Sequence, residues 1–331
     1  MKKLFFLLVC VAMSVLSMAQ VNQLVWANGR LLYGSPITNV DSLTYDEVAG
    51  MDTLLLPRVL IKEVHDTVYV TKVVHDTVYL ETDCGGEDDP SAGIGVFSVG
   101  GGKTVTFSPG NLQYHPANDK WRFAENQTDY IGDANSNCSS TYNGWLDLFG
   151  WSTSDANFGV STSHTDYDYL DFFDWGTNKI GNDAPNTWRT LTYDEWNYVI
   201  FYRPNASSLK GVAQVNGVNG LTFLPDNWTC PAGVTFKSGF HSTEGADYYA
   251  LFQTFTAEQW SKLEASGAVF LPAAGARTDS NVSGVQDGGY YWSATEGPKY
   301  SAYFLIFNSD EADMSDFERR HGRSVRLVKD L

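Results

Sequence analysis

Tyr290-Tyr-Trp-Ser-Ala-Thr295, Ser301-Ala-Tyr-Phe-Leu-Ile-Phe-Asn-Ser309 and Gly322-Arg-Ser-Val-Arg-Leu-Val-Lys329 decide how this chain is read. All three runs are β-type, rich in the aromatic and aliphatic residues that fit a pleated, packed surface. Between them lie Glu296-Gly-Pro-Lys-Tyr300 and the run from Asp310 to His321, which mix acids, bases and aromatic residues without a period. The pattern predicts a rigid β scaffold that carries irregular display segments. Strand alternation puts Tyr303, Leu305 and Phe307 on the scaffold side, with Val325 and Leu327, and turns Tyr300, Phe304 and Ile306 outward. Trp292 reads as core.

Working back from this end, residues 96–331 read as one domain of short strands, long loops and two helices. Thr104-Val-Thr-Phe107 and Lys120-Trp-Arg-Phe-Ala124 alternate as strands do. Thr192 followed by Glu195, and Thr256 followed by Gln259, are capping boxes, in which a hydroxyl and a reaching side chain satisfy each other's backbone N–H groups. The first opens a helix with Trp196, Val199 and Ile200 on one face; the second turns Trp260 and Leu263 inward and stops at Gly267. Helices beside mostly antiparallel short strands make an α+β architecture.

Upstream the texture differs. Met1 to Ala19 has two lysines, an apolar core and a small-residue exit, the form of a secretory signal peptide. It implies export across the inner membrane to a periplasmic, cell-surface or extracellular location. A lipoprotein signal at Cys10 fits poorly, because bulky Val9 precedes it. In region 20–60, Asn28-Gly29 between two apolar runs signals a hairpin. Residues 61–83 hold a ten-residue repeat, Lys62-Glu-Val-His-Asp-Thr-Val-Tyr69 and Lys72-Val-Val-His-Asp-Thr-Val-Tyr79, read as an extended stalk. Residues 84–95, rich in glycine and acids, form a flexible linker.

Composition narrows the function. Without Met1 to Ala19 the chain has 20 basic and 39 acidic residues, a formal charge of −19 that repels phosphate backbones and argues against nucleic acid as a partner. No later stretch has the ~20 apolar residues of a membrane helix. The 10 Trp, 18 Tyr and 19 Phe are enough to build a core and leave rings for a ligand. Secretion permits Cys138 and Cys230 to pair and leave Cys84 free. Enzyme chemistry finds little support. Asp166, Asp168, Asp171 and Asp174 offer carboxylates without a defined separation, and His115, His164, His241 and His321 sit in no catalytic motif. His65 and His75 at equivalent repeat positions lack a third ligand for a metal. No cofactor or metal is expected.

Val105-Thr-Phe-Ser-Pro-Gly-Asn-Leu-Gln-Tyr114, Leu148-Phe-Gly-Trp151, Trp188-Arg-Thr-Leu-Thr-Tyr-Asp-Glu-Trp196, Gly267-Ala-Val-Phe-Leu-Pro-Ala-Ala-Gly275 and Gly322-Arg-Ser-Val-Arg-Leu-Val328 form an ordered series over most of 97–331. It resembles the secreted C-type-lectin-like domain proteins of Bacteroidota. The resemblance implies a compact lectin-like fold whose chain termini meet in one sheet and whose long loops cover one end. Trp188 to Trp196 is also similar to a signature of formylglycine-generating enzymes, but no cysteine follows Cys230, so their paired catalytic cysteines are missing and only the fold carries over. Leu224-Pro-Asp-Asn-Trp228 is a partial echo of lectin calcium motifs and reads more simply as a turn. Asp129, Asp133 and Asn137 form another oxygen-rich loop.

In some proteins of this type a retroelement rewrites adenines in the asparagine codons of the last loop region. Tyr300, Ser301, Phe304, Ile306, Asp310, Ser315, Asp316, Phe317 and His321 are all residue types reachable in that way. With Arg320, these are the expected ligand-binding residues, the ligand being a protein or glycan at a cell surface. The alternatives are a structural subunit that oligomerises through its N-terminal region, or a carbohydrate-active enzyme. Upstream, Ser42, Thr53, Thr67 and Thr77 lie in Asp-Ser/Thr-aliphatic tripeptides similar to Bacteroidota O-glycosylation sites, which suit a solvated stalk.

Overall fold

The computed structural model describes residues 95–153, 158–167 and 171–331, together with the backbone of short strands between Val21 and Asp83. The chain divides into two units, Met1–Val78 and Tyr79–Leu331. In the first, Val21–Ala27 and Arg30–Ile37 pair antiparallel around Asn28-Gly29. The first repeat copy folds back on itself, Lys62–Val64 pairing with Thr67–Tyr69, whereas the sequence suggested extended chain. Thr67 opens the second of those strands. Met1 to Ala19, Ser42, Thr53, His65, His75, Thr77 and Cys84 lie outside the described residues.

Among the described residues the second unit is α+β, with three short α-helices, three mostly antiparallel sheets of four or five strands, and two further two-stranded sheets. One sheet orders its strands as Arg189–Thr190, Leu327–Asp330, Lys103–Phe107 and Phe97–Gly100, so the end of the chain pairs with the start of the domain. A second holds Thr254–Phe255, Lys210–Val215, Val218–Phe223 and Val269–Pro272. The third is five-stranded: Asn281–Val285, Ala274–Thr278, Gly289–Glu296, Ser301–Phe307 and Ala312–Glu318. Its last strand falls inside the segment that reads as irregular. Ala312-Asp-Met-Ser-Asp-Phe-Glu318 has no apolar alternation because it is an edge strand, where charges blunt an open row of backbone groups.

Helix α1 (Tyr193–Asn197) continues through a π turn over Tyr198–Tyr202. Its capping box is formed: Thr192 Oγ1 accepts from Glu195 N at 3.2 Å, and Glu195 Oε2 accepts from Thr192 N at 2.9 Å. Trp196, Val199 and Ile200 are fully buried. Helix α2 (Ala246–Phe252) went unread because Gly245 at its start makes no side-chain cap. Helix α3 (Ala257–Ala265) has the second capping box, buries Trp260 and Leu263, and ends before Gly267 at φ 86°. Thr192→Ala is expected to cost about 1 kcal/mol, a drop of roughly 2–4 °C in the Tm of a domain this size. A calorimetric scan checks it, and an unchanged Tm would show that packing of Trp196 alone holds the helix.

Two apolar clusters lie on opposite faces of the five-stranded sheet. One gathers Phe97, Phe107, Trp196, Leu221, Tyr291, Leu305 and Phe307. The other gathers Trp121, Phe149, Trp151, Trp175, Trp292 and Phe304, much of it from loops and 3-10 turns between residues 124 and 188. Among the described residues of these loops, Phe172 packs on both Trp151 and Trp175, with ring centres 4.9 and 5.7 Å apart. Asp174, one of the four acids in the enzyme reading, caps such a turn by accepting from Gly176 N and from Thr190 N and Oγ1. Asp166 bonds Ser161, Asp171 is solvent-exposed, and Asp168 lies outside the described residues.

Cys138 is a free thiol and Cys230 is disulfide-bonded, so the two do not pair with each other as the sequence had allowed. No described helix is long and apolar enough to cross a membrane.

Candidate functional site

The segment after the edge strand, Arg319 to Val328, is buried throughout apart from half-buried Arg320. It threads between the sheets as a backbone spine. Arg323 exchanges both backbone hydrogen bonds with Phe149 at 2.8 and 2.9 Å, Ser324 N donates to Tyr290 O, Trp292 N donates to Ser324 O, and Leu112 N donates to Val325 O. Gly322 is required at its start, because a Cβ there would fall 2.7 Å from Arg277 Nε and 3.0 Å from Leu148 O. Arg319, Val325 and Leu327 therefore hold the hairpin Ser301–Phe307/Ala312–Glu318 against a fixed base.

The hairpin separates the expected ligand residues into two groups. Tyr300 at 43% and Phe317 at 49% exposure reach solvent, as do Asp310 and Asp316. Ser301, Ile306 and Ser315 are half-buried; Ser301 Oγ donates to Pro298 O, and Ile306 packs on the second cluster. Phe304 is buried at 3% and His321 at 6%, which corrects the outward placement of both. Alternation does hold along Ser301–Phe307, but its even side faces a second core instead of water. Conversely Tyr303, assigned to the scaffold, is half-buried against Tyr193, their ring centres 4.5 Å apart.

Around Phe317 the structure gathers a polar ring that sequence spacing could not show. Arg320 Nε donates to Glu318 Oε2 at 2.9 Å and its Nη1 pairs with Asp279. His321 Nε2 lies 3.4 Å and His164 Nε2 3.8 Å from the same Glu318 oxygen, while His321 Nδ1 shares a 3.0 Å hydrogen bond with Thr278 Oγ1. Partial burial works against the Glu318 charge, but Arg320 and the two histidines outweigh it and hold the carboxyl below its usual range. For His321, burial and then the charges of Arg320 and Arg323 push the imidazole pKa down. Arg319, only 1% exposed at its side chain, pairs with Glu296, donates from Nε to Ser301 O at 3.0 Å and lies 4.7 Å over the Trp151 ring. It ties the Glu296–Tyr300 loop to the hairpin.

Arg323 was not singled out by the sequence. Its guanidinium lies 3.6 Å over the Phe304 ring, with Trp292, Tyr290 and Phe317 at 4.9, 5.4 and 5.7 Å. An arginine inside an otherwise apolar β run gives no local sign of such a cage.

The two calcium-like stretches have other work. Asp226 accepts from Ser98 N at 2.6 Å and pairs with buried Arg203 at 3.0 Å, and Pro225 O closes the turn to Trp228 N. Beside Asp129 and Asp133, Asn135 and Asp147 form a buried network. Asp147 accepts from Asn135 Nδ2 at 2.8 Å and Ile131 N at 2.9 Å, and Asn135 Oδ1 accepts from the backbone of Asp147 and Leu148. Among the described residues no three His, Cys, Asp or Glu side chains are grouped to hold a metal ion.

Residues 253–328 match the family described as a domain of unknown function, DUF8237. The matched segment spans α3, the five-stranded sheet, the Phe317 end of the hairpin and all of the buried spine. Neither the curated proteins nor the solved structures contain a match to this chain.

Proposed function

We propose that this chain is an exported, cell-surface or extracellular ligand-binding protein with a C-type-lectin-like domain. Its ligand, a protein or glycan, sits at the Tyr300 and Phe317 end of the Ser301–Phe307/Ala312–Glu318 hairpin, with Asp316 exposed on the hairpin's other side and Asp310 in its turn. One observation carries the reading: two large aromatic side chains stand half-exposed beside acids on a hairpin whose base is fixed by buried arginines. Rigid aromatic anchors with a polar surround are what binding surfaces use. The lectin-like assignment draws support from the meeting of the two domain ends in one sheet and from the aromatic cluster that loop residues such as Phe149, Trp151 and Trp175 build on the five-stranded sheet. The acids considered for catalysis have structural partners at Asp174 and Ser161 contact at Asp166, which favours binding over hydrolysis. Tyr300, Asp310, Asp316 and Phe317 are the hairpin's solvent-exposed positions among those expected to vary, and they can change without repacking a core.

The test is a combined Tyr300→Ala, Asp316→Ala, Phe317→Ala variant, assayed on a glycan array and in pull-downs from cell-surface fractions, with and without calcium. Surface changes of this kind are expected to move stability by no more than ~0.5 kcal/mol each while abolishing capture. Capture that survives in the variant moves the site elsewhere on the domain.

A further inference from the structure

Every other buried or half-buried arginine of this domain has an oxygen to bond. Arg203 has Asp226 and the Leu224 and Leu209 carbonyls; Arg277 has Asp279 O; Arg319 has Glu296; Arg320 has Asp279 and Glu318; Arg326 has Asn111 and Gln127. Arg323 is the exception. It is 5% exposed, no carboxylate or carbonyl among the described residues accepts from its side chain, and its buried Nε is left without a partner. Aromatic faces compensate part of the cost of removing a guanidinium from water, but they cannot replace its hydrogen bonds. Burial correspondingly lowers its pKa, to about 9.

The position of this cation is informative. Phe317, the most exposed ring of the hairpin, is one wall of the cage, its ring centre 5.7 Å from the guanidinium carbon, so the solvent-facing ring nearest this cation is the one that stands on the proposed ligand surface. The whole chain carries a formal charge of −17, which repels polyanions at long range. A single carboxylate delivered at close quarters, beside a C–H face that can lie on an aromatic ring, suits this site better than an anionic polymer.

We propose that Arg323 is the anion-recognition centre of the Phe317 face and takes the ring-attached carboxylate of an acidic sugar, of the uronate or sialate class, stacked on Phe317. This assignment rests on the reading of that face as the ligand site. Guanidinium and carboxylate match as a bidentate pair, so the sugar supplies the acceptors that Arg323 lacks.

The experiment uses the full chain on an array of oligosaccharides ending in glucuronate, galacturonate or sialate, beside their methyl esters and neutral parents, with poly-glutamate as a peptide control. Capture of the acids and loss on esterification are expected. Arg323→Met is expected to bind them roughly thirtyfold more weakly. The ester comparison uses unaltered protein, so the outcome stands even if the variant folds poorly. Equal capture of acid and ester, capture of poly-glutamate alone, or capture of no glycan overturns the assignment. If the Phe317 face variant loses a neutral ligand while Arg323→Met retains it, only the acidic-sugar assignment fails. If neither variant loses capture, the face itself is wrong.

Discussion

Trp292→Ala is expected to leave the domain unfolded or nearly so at 37 °C. The indole is fully buried at the centre of the five-stranded sheet, edge-on to Phe304 with ring centres 5.7 Å apart. Nε1 donates to Phe149 O at 2.6 Å, and the Trp292 carbonyl accepts from Trp196 Nε1 at 3.4 Å. Truncation leaves a cavity that costs about 3–5 kcal/mol. It also removes one of the two hydrogen bonds that Phe149 O accepts, the other coming from Arg323 N, which adds about 1 kcal/mol. Against a typical total of roughly 5–15 kcal/mol, that is a large fraction. A near-UV circular dichroism melt checks it; a loss below about 1.5 kcal/mol would mean that loops 124–188 collapse onto the vacated site.

Asp147→Ala is expected to be nearly as damaging, and to reveal itself through pH. Without the carboxylate, buried Asn135 Nδ2 keeps only Gly132 O and the N–H of half-buried Ile131 loses its acceptor. Orphaned buried donors cost about 1–3 kcal/mol each. Burial raises the carboxyl pKa from 3.8 to about 6, against the hydrogen bonds from Asn135 and Ile131, which lower it. The folded chain therefore holds a proton that the unfolded chain releases between those two values. Stability from this group is greatest below pH 4 and falls as pH rises toward 6. The stability difference between the parent protein and Asp147→Ala should shrink across that window and then level off. Urea melts at pH 4, 5, 6 and 7 measure it, and a difference that grows with pH contradicts the assignment.

Much of the frame was legible because its signals are local. Thr192 with Glu195 and Thr256 with Gln259 are reciprocal bonds within four residues, and both form. Trp196, Val199, Ile200, Trp260 and Leu263 obey helical spacing and are buried. Helix α2 escaped because glycine, not a capping hydroxyl, begins it. The strand Ala312–Glu318 escaped because an edge strand keeps its charges and shows no apolar alternation.

The candidate site was legible only in part. Tyr300, Asp310, Asp316 and Phe317 are surface residues as expected, since turn and edge positions next to acids seldom have a second layer above them. Phe304 is buried because Trp121, Phe149, Trp151 and Trp175 pack on its side of the sheet, and His321 is buried among Thr278, Phe317 and Glu318. Asp279 pairs with Arg320, and Glu318 gathers Arg320, His321 and His164, the last from 154 positions earlier in the chain.

By itself, then, the sequence determined the α+β class, the two capped helices, the β character of the C-terminal runs and the acidic surface. Each follows from residue types within a few positions of one another. The tertiary structure alone decided which face of Ser301–Phe307 meets water and which arginine goes without an acceptor. Period-two alternation says that two faces differ, but what covers each is supplied by chain more than a hundred residues away.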